Sequence, residues 1–547
     1  MKISALLDHR WNSGVKTYSI SISLLFLKLY ELLKLFFEDA EIDFYVMTFN
    51  GYNVEYSKVD FSKLYELYKN KNIKEIVNLA IKENYDSESQ RITLDDILEG
   101  LSNSDFIFIN NVGFGVFNKI LNKENLDKIL SNDGKSTYMF MFHISYSDNF
   151  LANLMEFINS GELKSISETT KNKIYSLLSK KIEKGYMDDN DQKELMSIIE
   201  YLLNSDTEEA REFRKKYSWW VEELNNLNGE NDYIYIFKKI AELKNSVYLF
   251  PTSIVGDANR RFIKNIHGLD IGEGKRKIEI LFEPMYMITI KNLYGEEIEY
   301  YKNVLLETYK DKKINLLYIG RMAEEKGIHD AISLFEDLVK EGENIRLIIV
   351  SPDFKEDGEE YKRLEEIVNK YGRGEVHIYS ELLGNSLYVY PLHYIAFLEA
   401  LGELKSTAVI NPAYTESFGY ATLESLIFGK LLVIYRDIEA LKELKEKGYL
   451  NNQTAFKTYE DLVNLTKKII KEIKEDIRNG RYDKIENKEI RKGKYDEYVN
   501  KEAIEKLEKE VDPEELAEKY AEIIYKELKS KYNNNLEAQS EEIEAVA

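Results

Sequence analysis

Two stretches in the second half of the chain set residues able to hold a diphosphate and a sugar at the ends of apolar runs. The first is Pro412-Ala-Tyr-Thr-Glu416-Ser417-Phe418-Gly419-Tyr420-Ala-Thr-Leu-Glu424. The apolar run Thr407–Pro412 reads as a strand, a short polar loop follows, and a helix begins near Gly419. Glycine lets the backbone approach a ligand closely. Free amides at a helix start, with the dipole behind them, suit a diphosphate. Glu416 stands in the loop and Glu424 about one turn inside the helix. One carboxylate can therefore reach sugar hydroxyls and the other a ribose. A bare strand–glycine–helix pattern is usually just a helix start; two carboxylates around a Ser-Phe-Gly turn favour binding.

The second stretch is Gly320-Arg321-Met-Ala-Glu-Glu-Lys326-Gly327, directly after the strand-like run Ile314–Gly320. Arg321 offers forked hydrogen bonds and Lys326 a point charge, and both can converge on one anion. Such a pair in a loop is commonly solvated surface. Here it shares the strand-end side with the first motif.

The elements that must position these groups form two series. In the first half, apolar runs at Lys2–Leu7, Ile42–Phe49, Asp105–Asn110, Thr137–Phe142, Val247–Phe250 and Ile278–Phe282 alternate with helical stretches such as Tyr18–Phe37. In the second, Ile314–Gly320, Ile345–Val350, Glu375–Ser380, Thr407–Pro412 and Leu431–Tyr435 alternate with helices at Asp330–Glu341, Tyr361–Lys370 and Ala421–Phe428. This alternation predicts parallel sheets covered by helices on both faces. Leu151 to about Tyr233 is helical in period without strands, and reads as an insertion anchored by Trp219 and Trp220. The expected layout is a first domain over 1–283 with a helical insertion near 151–233 and a second domain over 284–500. A helical segment over 501–547 follows, frayed from Asn533. The linker falls in Glu283–Lys313. Ligands in such sheets bind at the carboxyl ends of strands, here in the cleft between the domains.

Composition narrows the function. The 547 residues carry 75 Lys+Arg against 97 Asp+Glu, a net charge of −22. So acidic a chain repels a phosphate backbone, which counts against nucleic acid as a partner and against loose adsorption on anionic lipid. A hydrophobic content of 44% supports sizeable cores and excludes wholesale disorder. With no cysteine, disulfides, thiolate metal sites and a Cys nucleophile are excluded. The six His are scattered, so no metal site is expected. Rich Lys, Glu, Ile and Tyr use resembles a thermophile's, against which stand only six prolines. An AT-rich genome gives the same bias. The N-terminus lacks the apolar core of an export signal. Ser21–Phe37 is interrupted by Lys28, Glu31 and Lys34, and reads as a buried helix rather than a membrane span, with peripheral membrane contact left open. A cytoplasmic location is expected.

Taken together, Gly-Arg…Glu-Lys-Gly after one strand and Glu-x7-Glu with Ser-Phe-Gly after a later one make Lys313–Glu439 resemble the nucleotide-sugar-binding domain of GT-B glycosyltransferases. The specific likeness is to the large retaining family that includes sucrose synthase and many bacterial and archaeal mannosyl- and glucosyltransferases. The resemblance implies a GT-B fold, with two Rossmann-like domains facing across a cleft. It implies hexosyl transfer from a nucleotide-diphospho-sugar to a glycan, protein or small-molecule acceptor, with retention and with no required cofactor or metal. Arg321 and Lys326 would bind the diphosphate and stabilise the leaving nucleotide. Glu416, Ser417 and the amides of Phe418 and Gly419 would hold the donor sugar and phosphate, and Glu424 the ribose. The first half matches more loosely. Its loop Asp8–Val15 has one glycine, Gly14, where the family often has two, and His143 stands where the family often places a histidine near the sugar. Thr252, Ser253, Asn259 and Arg260 resemble a cleft-lining segment. Base contacts are expected around Ser351–Asp353 and Ser380–Leu382. The rival readings are a GT-B phosphorylase, a nucleotide-sugar epimerase and a non-catalytic scaffold. Asp189-Asn-Asp191 resembles the Asp-x-Asp metal site of the other main glycosyltransferase fold, but sits in a helical stretch. Gly113–Asn118 lacks the third glycine of a dinucleotide fingerprint.

Overall fold

The computed structural model describes the chain except for residues 9–13, 36, 51–52, 71–88, 111–122, 131–135, 144–150, 152–153, 155–165, 185–186, 217–238, 244, 268–269, 272–276, 312, 353, 356–357, 380–389, 417, 481–492 and 547. Trp219, Trp220 and Gly113–Asn118 therefore lie outside the described residues, as does much of the expected insertion.

The first sheet has the order β4-β3-β2-β1-β5-β6-β7-β8. Its strands are β1 (Lys2–Asp8), β2 (Glu41–Asn50), β3 (Asn53–Val59), β4 (Ser89–Arg91), β5 (Phe106–Ile109), β6 (Thr137–Met141), β7 (Ser246–Phe250) and β8 (Lys277–Ile280). All neighbours are parallel except β2–β3 and β3–β4. The antiparallel edge was not foreseen. Its β3 sequence, NVEYSKV, interleaves polar and apolar residues in the manner of an antiparallel strand with one face solvated, and carries no apolar run. By contrast β5, β6 and β7 are buried at every position, because helices cover both faces.

The second sheet, β11-β10-β9-β12-β13-β14, is parallel throughout. It comprises β9 (Ile314–Ile319), β10 (Ile345–Val350), β11 (Glu375–Tyr379), β12 (Thr407–Asn411), β13 (Leu432–Arg436) and β14 (Ala455–Phe456). Strand order reverses on either side of β9, and in the first sheet on either side of β1. At such reversals successive connections leave on opposite faces, which opens a crevice at the carboxyl ends. These are the two Rossmann-like domains of a GT-B fold.

The long apolar stretch forms the helix Gly14–Lys34, with Leu25, Phe26, Leu29 and Leu33 buried in the core. Among the described residues no helix is long and apolar enough to cross a membrane. In the insertion, the helices Glu168–Lys184 and Asp189–Asn204 pack their apolar faces into the core on one side of the first sheet. Asp188 caps the second of these, Asp191 closes the capping box, and Lys184 pairs with Asp191 at 3.1 Å. That is the local role of the Asp-x-Asp sequence.

The expected linker contains two helices, Tyr286–Leu293 and Gly295–Thr308. The second packs against the helix Tyr390–Leu404 of the second domain. The last helix, Pro513–Val546, packs back on Gly14–Lys34 of the first domain and continues through the stretch expected to fray, which is rich in helix-forming Glu, Gln and Ala. One hydrophobic core accordingly runs from one face of the first sheet through the linker into the second domain.

Candidate active site

The crevice beside β9 brings the two motifs together. After β9 the chain makes a single 3-10 turn, Glu324–Lys326, and passes through Gly327 in a left-handed conformation with φ 72°. A Cβ on Gly327 would lie 2.4 Å from the Pro412 carbonyl oxygen, so glycine is required for the loops to touch. Tyr414 and Thr415 donate backbone N–H bonds to the Glu325 carbonyl at 2.8 and 3.4 Å. Arg436, at the end of β13, buttresses the same loop from behind. It donates to the Pro412 carbonyl at 3.0 Å, pairs with Asp330, and lies 4.0 Å from the Tyr414 ring centroid. The Tyr414 hydroxyl donates to Asp330 at 2.8 Å. Sequence reasoning missed Arg436. A charge ending an otherwise apolar strand was the available signal.

In this frame Lys326 Nζ donates to Glu416 Oε2 at 2.9 Å and to the Thr415 carbonyl at 3.4 Å. Arg321 forms an ion pair with Glu325 while keeping half its side chain exposed. Each cation of the expected diphosphate pocket is thus matched to a carboxylate of the same two loops. An entering diphosphate can replace those carboxylates, leaving Glu416 free to accept from other groups. Phe418 is fully buried, its ring tilted against Phe282 at 5.3 Å and edge-on to Tyr420 at 5.5 Å. Gly419 has φ 75° and heads the helix Tyr420–Ile427, which carries no side-chain cap. Its first amides are suited to an anion. Ser417 lies outside the described residues.

Glu424 is turned inward. It is buried, and accepts from the Tyr394 hydroxyl at 2.8 Å. Burial raises its pKa to about 7, against the opposing effect of the Tyr394 hydrogen bond. The sequence placed this carboxylate at a ribose. The structure places it behind the helix start, with a tyrosine as its partner.

On the first-domain side, Gly14 opens the helix Gly14–Lys34, while the loop 9–13 before it lies outside the described residues. His143 follows β6 and is buried. Its Nδ1 lies 2.7 Å from Glu283 Oε1 and its Nε2 2.7 Å from Asn110 Oδ1. Ser253 reaches the second domain, its N–H donating to Glu443 at 2.8 Å. Asn259 instead bonds Val255 in its own helix, and Arg260 pairs with Asp270. Of the expected base-contact segments, Ser351 is buried, while Asp353 and Ser380–Leu382 lie outside the described residues.

Residues 307–489 match the model of the family described as glycosyl transferases group 1. The matched segment, which carries both motifs, is similar to this family. No curated protein matches the chain. Among solved structures, the HepE protein of Anabaena in complex with UDP and glucose is similar at 11% identity, covering 96% of this chain and 100% of that one, with a TM-score of 0.45. A glycosyltransferase from Rickettsia africae is similar at 14% identity, 96% and 98% coverage and a TM-score of 0.47. The catalytic domain of starch synthase IV from Arabidopsis thaliana, bound to ADP and acarbose, follows at 10%, 96%, 99% and 0.42. The likeness to this family rests on residues 307–489 and not on these distant structures.

Two outcomes are expected for this site. Gly327→Ala strains the left-handed turn and drives a methyl into the Pro412 carbonyl. Chemical denaturation should show a loss of at least ~2 kcal/mol, and a variant as stable as the parent would contradict the loop contact. The second concerns Glu424, whose folded pKa is raised. The stability it contributes is complete below its ordinary value of 4.5 and is lost as pH rises through about 7. Glu424→Gln keeps size and a partner for Tyr394 without the charge. It should match the parent near about pH 5 and exceed it by on the order of 1–3 kcal/mol near about pH 8. Equal stability at both would place Glu424 in water.

Proposed function

We propose that the protein is a retaining glycosyltransferase that moves a hexosyl group from a nucleoside-diphospho-sugar to a glycan, protein or small-molecule acceptor. The observation that carries this reading is the Lys326–Glu416 pair at 2.9 Å beside the uncapped start of the Tyr420–Ile427 helix, within the family-matched segment. Lys326 and the exposed Arg321 exchange their carboxylates for the diphosphate oxygens. The amides of Phe418 and Gly419 add uncharged donors. As the sugar–phosphate bond breaks, negative charge grows on the diphosphate and positive charge on the sugar. The cations meet the first, and Glu416, released from Lys326, meets the second. No side chain of the matched motifs stands as a covalent nucleophile. The departing diphosphate then takes the acceptor's proton on the face it leaves, which gives retention. The acceptor approaches from the first domain and its insertion.

Calorimetric titration with nucleoside diphosphates, beside turnover of the corresponding sugar nucleotides, tests the roles separately. Lys326→Ala and Arg321→Ala should weaken diphosphate binding and cost on the order of 2–4 kcal/mol in turnover. Glu416→Gln removes the internal competitor for Lys326, so diphosphate affinity should hold or rise while kcat falls strongly. If Glu416→Gln loses affinity and turnover together, or if both cation variants act at the parent rate, the reading is wrong.

A further inference from the structure

Arg436 is bound into the site by more than a buttress for one loop requires. It closes β13 and is 2% exposed, so its charge is out of water. Its Nε donates to the Pro412 carbonyl at 3.0 Å, at the root of the loop that carries Glu416. Its Nη2 donates to Asp330 Oδ2 at 2.5 Å. Asp330 stands in the first turn of the helix Ile328–Lys340, which begins directly after Lys326 and Gly327, and the Asp330 N–H donates to the Gly327 carbonyl at 3.1 Å. The Nη1 of Arg436 donates to the Lys457 carbonyl at 3.0 Å, just past β14. The guanidinium lies 4.0 Å from the Tyr414 ring centroid and 5.0 Å from that of Phe456. Tyr414 in turn donates its hydroxyl to the same Asp330 oxygen at 2.8 Å.

Two of the three acceptors therefore belong to the two segments whose side chains meet as Lys326 and Glu416. A buried charge carries a desolvation cost that an apolar side chain would avoid, so its directed bonds are what it adds here. The planar fork of arginine fixes the angle between its acceptors as well as their distance, which the single ammonium of a lysine does not. We propose that Arg436 is a positioning residue for sugar transfer: by holding the Pro412 carbonyl and Asp330 on one guanidinium it fixes the spacing of the Glu416 loop against the Lys326 loop. This deepens the function proposed above and rests on it. Nε, Nη1 and Nη2 are all engaged inside the protein, so Arg436 acts through Glu416 and Lys326. A bound diphosphate bridges the two loops and draws them together itself, so nucleotide affinity tolerates a looser clamp. The charge that develops on the sugar has no such bridge to Glu416, and a misplacement of about 1 Å can cost on the order of a hundredfold in rate. Arg436 therefore bears on kcat more than on nucleotide affinity.

The test uses Arg436→Lys, Glu416→Gln and their double variant of the full chain, with UDP-glucose and ADP-glucose as probes. Arg436→Lys keeps the charge and loses the fork. It should lower kcat about tenfold or more, with the Kd of the nucleoside diphosphate within about threefold of the parent. In the Glu416→Gln background the same change should lower kcat no more than about twofold, because the carboxylate it positions is gone. Equal losses in both backgrounds, or parent-level kcat in Arg436→Lys, would overturn the proposal. Amide exchange reads the clamp without any ligand. At Tyr414 and Thr415, whose N–H groups bind the Glu325 carbonyl, it should quicken about tenfold in Arg436→Lys, while Leu347–Ile349 of β10 keep the parent's rate. Unchanged exchange at Tyr414 and Thr415 would mean that Arg436 does not hold the loops, and equal quickening in β10 that it props the whole domain; either overturns the proposal. A parent that binds neither UDP nor ADP, or turns over neither probe, counts against the proposed function instead, and exchange then decides Arg436. Should Arg436→Lys not fold, Tyr414→Phe, which removes only the hydroxyl bound to Asp330, carries both readouts at about threefold or more.

Discussion

The backbone bond from Tyr414 to the Glu325 carbonyl, at 2.8 Å, is the contact on which the rest of the site depends. It joins loops that leave two adjacent strands, β9 and β12, and it exists because strand order reverses there. Once the loops touch, Lys326 falls within hydrogen-bond reach of Glu416, Arg436 can grip Pro412 from behind, and Gly419 turns the chain into a helix whose amides stay uncapped. Glycine at 327 is the condition for that approach, since a side chain there would collide with backbone that has no room to yield.

The same economy governs the hinge. The first domain, the linker helices and the returning C-terminal helix share one hydrophobic core, so the domains are joined by packing as well as by chain. Beside that apolar joint sits a polar thread of Asn110, His143 and Glu283. Low local dielectric makes such a thread costly when broken and strongly directional when whole.

Legibility in the sequence followed burial. Strands such as Ile345–Val350 are apolar at nearly every position because both faces are covered, and they stood out. The antiparallel strand Asn53–Val59 and the edge strand Ser89–Arg91 did not, because polar residues interrupt the apolar pattern. That the Arg321–Lys326 and Glu416 loops meet at adjacent strand ends was readable because they lie in two short contiguous motifs, each directly after an apolar run. Arg436 and Glu283 were not. Each works through partners far away in sequence, and nothing local distinguishes a buttressing arginine or a hinge glutamate from a surface charge. The helix that carries Glu424 was readable, but the inward turn of Glu424 toward Tyr394 depends on packing that no local pattern specifies.

A crystal structure with the nucleoside diphosphate that most raises the melting temperature would test the central claim most directly. The account predicts the distal phosphate within hydrogen-bond distance of Lys326 Nζ and of the amides at Phe418 and Gly419, with the Lys326–Glu416 pair broken. A diphosphate bound elsewhere, or bound while that pair stays intact at 2.9 Å, would contradict it.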